Sequence, residues 1–107
     1  LVHKIQELYK TVYILGQKMP KRDRFGLHLK IEHLCVEILE QAIVATLEQK
    51  ENKKPILQSL RIKIEVAKRL IRTAHELNII QRKTYFDLQM KLQEISKMTN
   101  GWIRYLS

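Results

Sequence analysis

Between Arg24 and Glu48 the apolar residues fall into two stripes on opposite sides of a helix, a pattern that limits the fold more than any other feature of the chain. Leu27, Ile31, Leu34, Ile38, Ala42 and Ala45 recur at helical spacing and line up along one side. Leu29, Val36, Ile43 and Leu47 lie roughly 180° away at about 100° per residue, interleaved with Glu32 and Glu40. One stripe can be buried inside a bundle. The second needs a cover from outside, and the expected cover is another copy of the chain.

The same period predicts four helices. Helix one is expected from Val2 to Gln17, with Ile5, Leu8, Tyr9, Val12 and Leu15 inward and with Gly16 and Pro20 marking its end. Lys18 to Arg24 reads as a turn in which Asp23 caps a second helix continuing to Lys50, a rod of about 40 Å at the helical rise. Glu51, Asn52, Lys53 and Lys54 read as a charged turn, after which Pro55 takes a first helical position and helix three runs to Leu77. Asn78 suits a left-handed C-terminal residue. Ile79 and Ile80 then turn the chain into helix four, Arg82 to Asn100, closed by Gly101. Short connections make neighbours antiparallel, so the expected fold is all-α, an up-down-up-down four-helix bundle forming one domain over residues 1–107.

Helix three repeats the surplus of helix two. Its apolar arc runs from Leu57 through Leu60, Ile64 and Leu70 to Val66 and Ile62, about twice the width of a monomer's surface-helix stripe, and is interrupted by Lys63. Lys63 can lay its stem along that seam with its ammonium in water. Scattered surface aliphatics are common, but four at heptad spacing point to a homo-oligomer. Its expected interface is Leu29, Val36, Ile43, Leu47, Ile62 and Val66.

The charge, +9 over 107 residues, is uneven. Residues 51–107 hold twelve Lys/Arg against five Asp/Glu, whereas residues 1–50 hold eight against six. On helix three Lys54, Arg61, Lys68 and Arg72 share a narrow wedge flanked by Arg69; on helix four Lys83, Lys97 and Arg104 project from a core line of Tyr85, Leu88, Leu92, Ile95 and Trp102. Single long cations are usually only solvated. As a set spaced along rods they suit phosphate contact without base readout, so these eight are the candidate nucleic-acid and polymerase contacts. No zinc-finger spacing, helix-turn-helix turn or ribonucleoprotein aromatic motif accompanies them.

Catalysis finds little support. There is no Gly-rich phosphate loop, nucleophile motif or HExxH pattern, and no cofactor or metal is expected. His28 with Glu32 and His33 with Glu37 are i,i+4 pairs off the main core stripe, and surface pairing is their expected role. Cys35 is expected to pack as a small apolar residue. No apolar run approaches the roughly 20 residues of a membrane span and no signal-peptide pattern opens the chain, so no membrane partner and a cytoplasmic setting are expected. The absent initiator Met leads to the expectation of a trimmed N terminus.

Three segments carry a family resemblance. The turn Met19-Pro20-Lys21-Arg22-Asp23-Arg24-Phe25-Gly26-Leu27, the stretch Arg69-Leu70-Ile71-Arg72-Thr73-Ala74-His75-Glu76-Leu77 and the ending Glu94-Ile95-Ser96-Lys97-Met98-Thr99-Asn100-Gly101-Trp102-Ile103 resemble the accessory variability determinant proteins of diversity-generating retroelements. That family is similar in turn to the four-helix proteins encoded in intervening sequences of bacterial large-subunit ribosomal RNA genes. The resemblance implies a barrel-shaped homopentamer, bacterial, archaeal or phage-encoded. It also implies binding of RNA and complementary DNA through a basic surface, and partnership with the retroelement's reverse transcriptase in mutagenic retrohoming. Arg69 and Arg72 match the family's arginines, and Gly101 and Trp102 its Gly-Trp ending, with Trp102 expected against helix one or a neighbouring subunit. Thr99-Asn100 and His28 depart from the pattern. The alternatives are a protein of the ribosomal intervening-sequence type, with no polymerase partner, and a purely structural scaffold.

Overall fold

A computed structural model describes all 107 residues. The chain forms five helices, α1 Val2–Gly16, α2 Lys21–Arg24, α3 Leu27–Leu47, α4 Lys50–Glu76 and α5 Arg82–Leu106. Helix α2 is a single turn inside the first connection. The four long helices pack into an all-α bundle of 45 × 20 × 19 Å, with α3 between α1 and α4, and α5 closing against α4 and α1. Connections of a few residues force each long helix to run back along its predecessor. The turns at 17–26 and 77–81 therefore share one end of the bundle, and the joint at 48–49 lies at the other.

The inward stripes form the core. Ile5, Leu8 and Val12 of α1 meet Ile31, Leu34, Ile38, Ala42 and Ala45 of α3, together with Leu57, Leu60, Ile64 and Ile71 of α4 and Leu88, Leu92 and Ile95 of α5. Each fully buried Leu or Ile contributes roughly 1.5–3 kcal/mol relative to exposure. Cys35 is buried among them as a packing residue. Burial and the nearby Glu32 carboxylate push its thiol up from 9.0 to about 12, which keeps it protonated and unreactive at neutral pH.

Four boundaries differ from expectation, each for a local reason. Residues 51–54 are helical, and the break is the two-residue joint Glu48–Gln49, with both residues extended. Lys53 makes that joint possible: its Nζ donates to the carbonyls of Ala45 at 2.6 Å and Thr46 at 3.1 Å, satisfying the open end of α3. Glu48 Oε1 accepts from Gln49 N–H at 3.0 Å and Asn52 Nδ2 at 3.3 Å on the other side. Pro55 consequently sits inside α4, early enough to forfeit one backbone hydrogen bond near the helix start.

Asp23 lies within α2, and Gly26 is the residue that precedes α3. A Cβ there would sit 2.6 Å from the Arg22 carbonyl, so this tight corner requires glycine. Gly101 does not end the last helix, which continues to Leu106 with no glycine at positive φ. Trp102 is half-buried against the core, with Lys53 Nζ 5.6 Å from its ring centroid, so its charged neighbour is α4. Asn78 behaves as expected, at φ 61°. The Ile79 and Asn78 N–H groups donate back to the Ala74 and His75 carbonyls at 2.8 and 3.0 Å, closing α4 with a Schellman motif.

His28 overturns its surface assignment. It is 3% exposed, and its Nε2–H donates to the Val12 carbonyl of α1 at 2.6 Å, with Glu32 Oε1 at 3.4 Å. A carbonyl can only accept, which fixes the hydrogen on Nε2. Gly16 leaves room for the ring; a Cβ at that position would lie 2.7 Å from His28 Cδ2. Helix α1 is thus docked on α3 by a polar contact as well as by its apolar stripe.

Candidate nucleic-acid interface

Helix α4 positions five of the eight candidate cations. At about 100° per residue, Lys54, Arg61, Lys68 and Arg72 fall within one wedge roughly 110° from the helix's buried line, on the flank facing α5, with Arg69 further outward. From Lys54 to Arg72 the row covers about 27 Å. Lys83, Lys97 and Arg104 extend the positive charge along α5. Both helices belong to the half of the chain with the larger excess of cations, and their antiparallel packing makes one wall of them.

The eight differ in what already holds them. Arg61, Arg69, Lys83, Lys97 and Arg104 are exposed and have no acidic partner; Lys54 is half-buried and also unpaired. Arg72 has Glu76 at 3.9 Å, a long pair between two exposed side chains that water and salt screen. Arg69, Arg72, Thr73 and Glu76 border a shallow open depression near the end of α4. Lys68 is different. It is half-buried in the α4–α5 seam, and its Nζ donates to Glu65 at 3.1 Å and to Gln93 Oε1 at 3.1 Å, while Gln89 Nε2 donates to the Lys68 carbonyl at 3.1 Å. A phosphate would have to displace those partners, so Lys68 is committed to helix pairing and the free cations surround it.

The six expected interface residues fall into two patches. On α3, His28 marks the side that faces α1, while Gln41 against Ser59 and Lys63 near Glu37 mark the side that faces α4. Leu29, Val36, Ile43 and Leu47 lie outward on the α1 side. Leu29 and Val36 are half-buried, Ile43 is exposed, and Leu47 is 81% exposed. Ile62, 62% exposed, and Val66 lie on the outward face of α4, across the bundle surface from the first patch. Further apolar surface lies off those stripes at Tyr13, Ile14 and Val44. Val44 was discoverable, since it sits next to Ile43 but turns toward α4.

No three His, Cys, Asp or Glu side chains come together in a way that could hold a metal ion. No helix is long and apolar enough to cross a membrane.

Fold and surface together define a class: a basic four-helix bundle with apolar surface on two faces and unpaired cations along one wall. The family model described as bAvd-like matches residues 1–106, and the chain belongs to that family. Membership implies an accessory protein of a diversity-generating retroelement, within a group of generally non-catalytic accessory proteins. No curated protein matches the chain.

Proposed function

We propose that this protein is the non-catalytic accessory subunit of a diversity-generating retroelement, binding RNA and complementary DNA together with the element's reverse transcriptase to support mutagenic reverse transcription. The observation that carries this proposal is the family match over residues 1–106, and the unpaired cations of α4 and α5 supply the means. Arg61, Arg69, Arg72, Lys83, Lys97 and Arg104, with Lys54 beside them, contact phosphate or the polymerase. Contacts of this kind follow a backbone regardless of sequence, as an accessory to copying requires.

The protein works as a homo-oligomer, a pentamer by family likeness. The two apolar patches support that assembly: they lie on different faces, so patch one of one copy can meet patch two of the next. Contacts of that head-to-tail type close into a ring when the rotation allows. A ring also pools the cations of its subunits into one continuous field.

Filter binding of duplex DNA and RNA across a salt series tests the wall. Neutralising Arg69 or Arg72 to Gln is expected to reduce the slope of log affinity against log salt by about 0.9 per lost duplex contact. An unchanged slope removes those residues from the surface. Co-purification with the reverse transcriptase encoded beside the gene tests the partner; an accessory that never captures it defeats the polymerase role.

A further inference from the structure

The end of the bundle formed by the turns at 17–26 and 77–81 carries a charge cluster that adjoins the α4–α5 wall and shares only Lys83 with it. Lys18, Lys21, Arg22 and Arg24 come from the first turn, and Arg82 and Lys83 open α5 at the same end. All six are exposed and none has an acidic partner. Asp23 is the single acid in residues 17–26 and 77–83. The opposite joint, residues 47–54, is nearly balanced, with three Lys against Glu48 and Glu51, and there Lys53 is taken up by carbonyls. An open cleft of about 620 Å³ runs between the two turns, with Arg22, Asp23 and Gly26 on one side and Leu77 and Ile79 on the other.

Two phenylalanines stand in this cationic surface, each beneath an arginine. Arg24 lies 5.6 Å from the Phe25 ring centroid and Arg82 lies 5.4 Å from that of Phe86. Phe25 is 61% and Phe86 51% exposed, so neither ring is part of the core. Sixty-one residues apart in sequence, they form no linear aromatic motif; the antiparallel fold brings them to one end. Cation–π contact orients each ring and leaves aromatic surface for a flat ligand. Exposed aromatics set among phosphate-binding cations are how proteins hold unpaired nucleic acid, because every base has a face to stack and every nucleotide a charge. Duplex DNA keeps its base faces inside the helix and gains only from the charges.

We propose that this end of the bundle is a second polyanion site that takes single-stranded nucleic acid, with Phe25 and Phe86 as stacking platforms and the six surrounding cations as phosphate contacts. The site rests on the proposed function in one respect, that the chain binds nucleic acid at all. It assigns the unpaired strand to the bundle end and leaves paired segments to the α4–α5 wall.

Fluorescence anisotropy at low salt tests it, with a labelled single strand of about 16 nucleotides and the duplex of the same sequence. The proteins are the full chain, Phe25→Leu, Phe86→Leu, the double variant, and Arg69→Gln/Arg72→Gln; circular dichroism checks each fold. Leucine keeps an apolar side chain at an exposed position and removes only the π face. Each Phe→Leu change is expected to weaken single-strand binding about fivefold or more, the loss of one stacked base, while duplex affinity stays within about twofold. The Arg69/Arg72 variant is expected to weaken the duplex more than the single strand.

Equal losses on single strand and duplex, or none on either, overturn the stacking site while leaving nucleic-acid binding by the wall intact. Failure of the unaltered protein to bind either probe overturns both. Sedimentation with phosphatidylserine vesicles provides a further arm: vesicle binding that depends on Phe25 and Phe86, with oligonucleotide binding that does not, assigns the end to a lipid surface and overturns the proposal.

Discussion

Gly16→Ala probes the docking of α1 in a way that a helix propensity scale would misjudge. Gly16 has an ordinary right-handed conformation at the end of α1, so alanine there should gain up to about 1 kcal/mol in helix propensity and unfolded-state entropy. The space says otherwise. The new methyl would stand 2.7 Å from His28 Cδ2, 2.9 Å from Nε2 and 3.2 Å from Glu32 Oε1. The ring is buried and held to the Val12 carbonyl at 2.6 Å, so it cannot swing into solvent. Relieving the overlap by moving α1 or the ring costs about 1–3 kcal/mol as overpacking. If the ring loses its carbonyl partner, a buried N–H adds about 1–3 kcal/mol. Against the propensity gain, the net expectation is a loss of about 1–4 kcal/mol. Urea unfolding followed by circular dichroism at one fixed protomer concentration measures it, since self-association makes the midpoint concentration-dependent. The second arm is His28→Ala, destabilising on its own through the cavity. In that background the clash is gone, and Gly16→Ala should be neutral or stabilising by up to about 1 kcal/mol. A Gly16→Ala protein as stable as the parent, or an equal effect in both backgrounds, refutes the steric account.

Lys53→Met keeps the stem but removes the ammonium that closes α3 and faces Trp102, and is expected to cost about 1–3 kcal/mol with a shift in Trp102 fluorescence; a silent substitution would show that solvent satisfies those carbonyls equally well. Because the folded Cys35 thiol is pushed from 9.0 to about 12, the folded state holds its proton while the unfolded state has lost it, so stability is expected to fall as pH rises through that window. Cys35→Ala should flatten that decline relative to the parent, and parallel pH profiles would mean the thiol titrates alike in both states. Val36→Glu and Ile43→Glu are expected to dissociate the oligomer without unfolding the subunit, read by light scattering with circular dichroism; an intact assembly moves the interface elsewhere.

The helical framework was legible because burial in a bundle is periodic. Every member of the expected α3 stripe from Ile31 to Ala45 is core, as are Ile5, Leu8 and Val12 of α1. Boundaries were less legible because they depend on partners distant in sequence or on side chains playing an unexpected part. Residues 51–54 read as a turn because polar residues cluster there, yet Lys53 caps the preceding helix and so shortens the joint to two residues. Gly101 reads as a stop only if the chain needs a left-handed residue, and α5 has room to continue. Asn78 differs because its requirement is local: a left-handed cap needs a residue that tolerates positive φ, and that property is visible in the residue itself.

The cationic surface was legible in composition but not in availability. Helical spacing groups Lys68 with Arg61 and Arg72, and only the packing of α5 shows that Gln93 joins Glu65 of the same helix in occupying it. The same limit applies in reverse to Arg22 and Arg24 of α2 and Arg82 of α5, which lie on different helices and therefore share no sequence pattern. A charge on one face of one helix is a periodic quantity, whereas a charge cluster at a bundle end is a product of topology. His28 makes the point for the core. Its angle of about 80° from the centre of the α3 stripe places it at the margin, where α1 decides between solvent and interior. A glycine twelve residues before His28 becomes informative once α1 lies across that margin, because the missing side chain of Gly16 is the space the imidazole occupies.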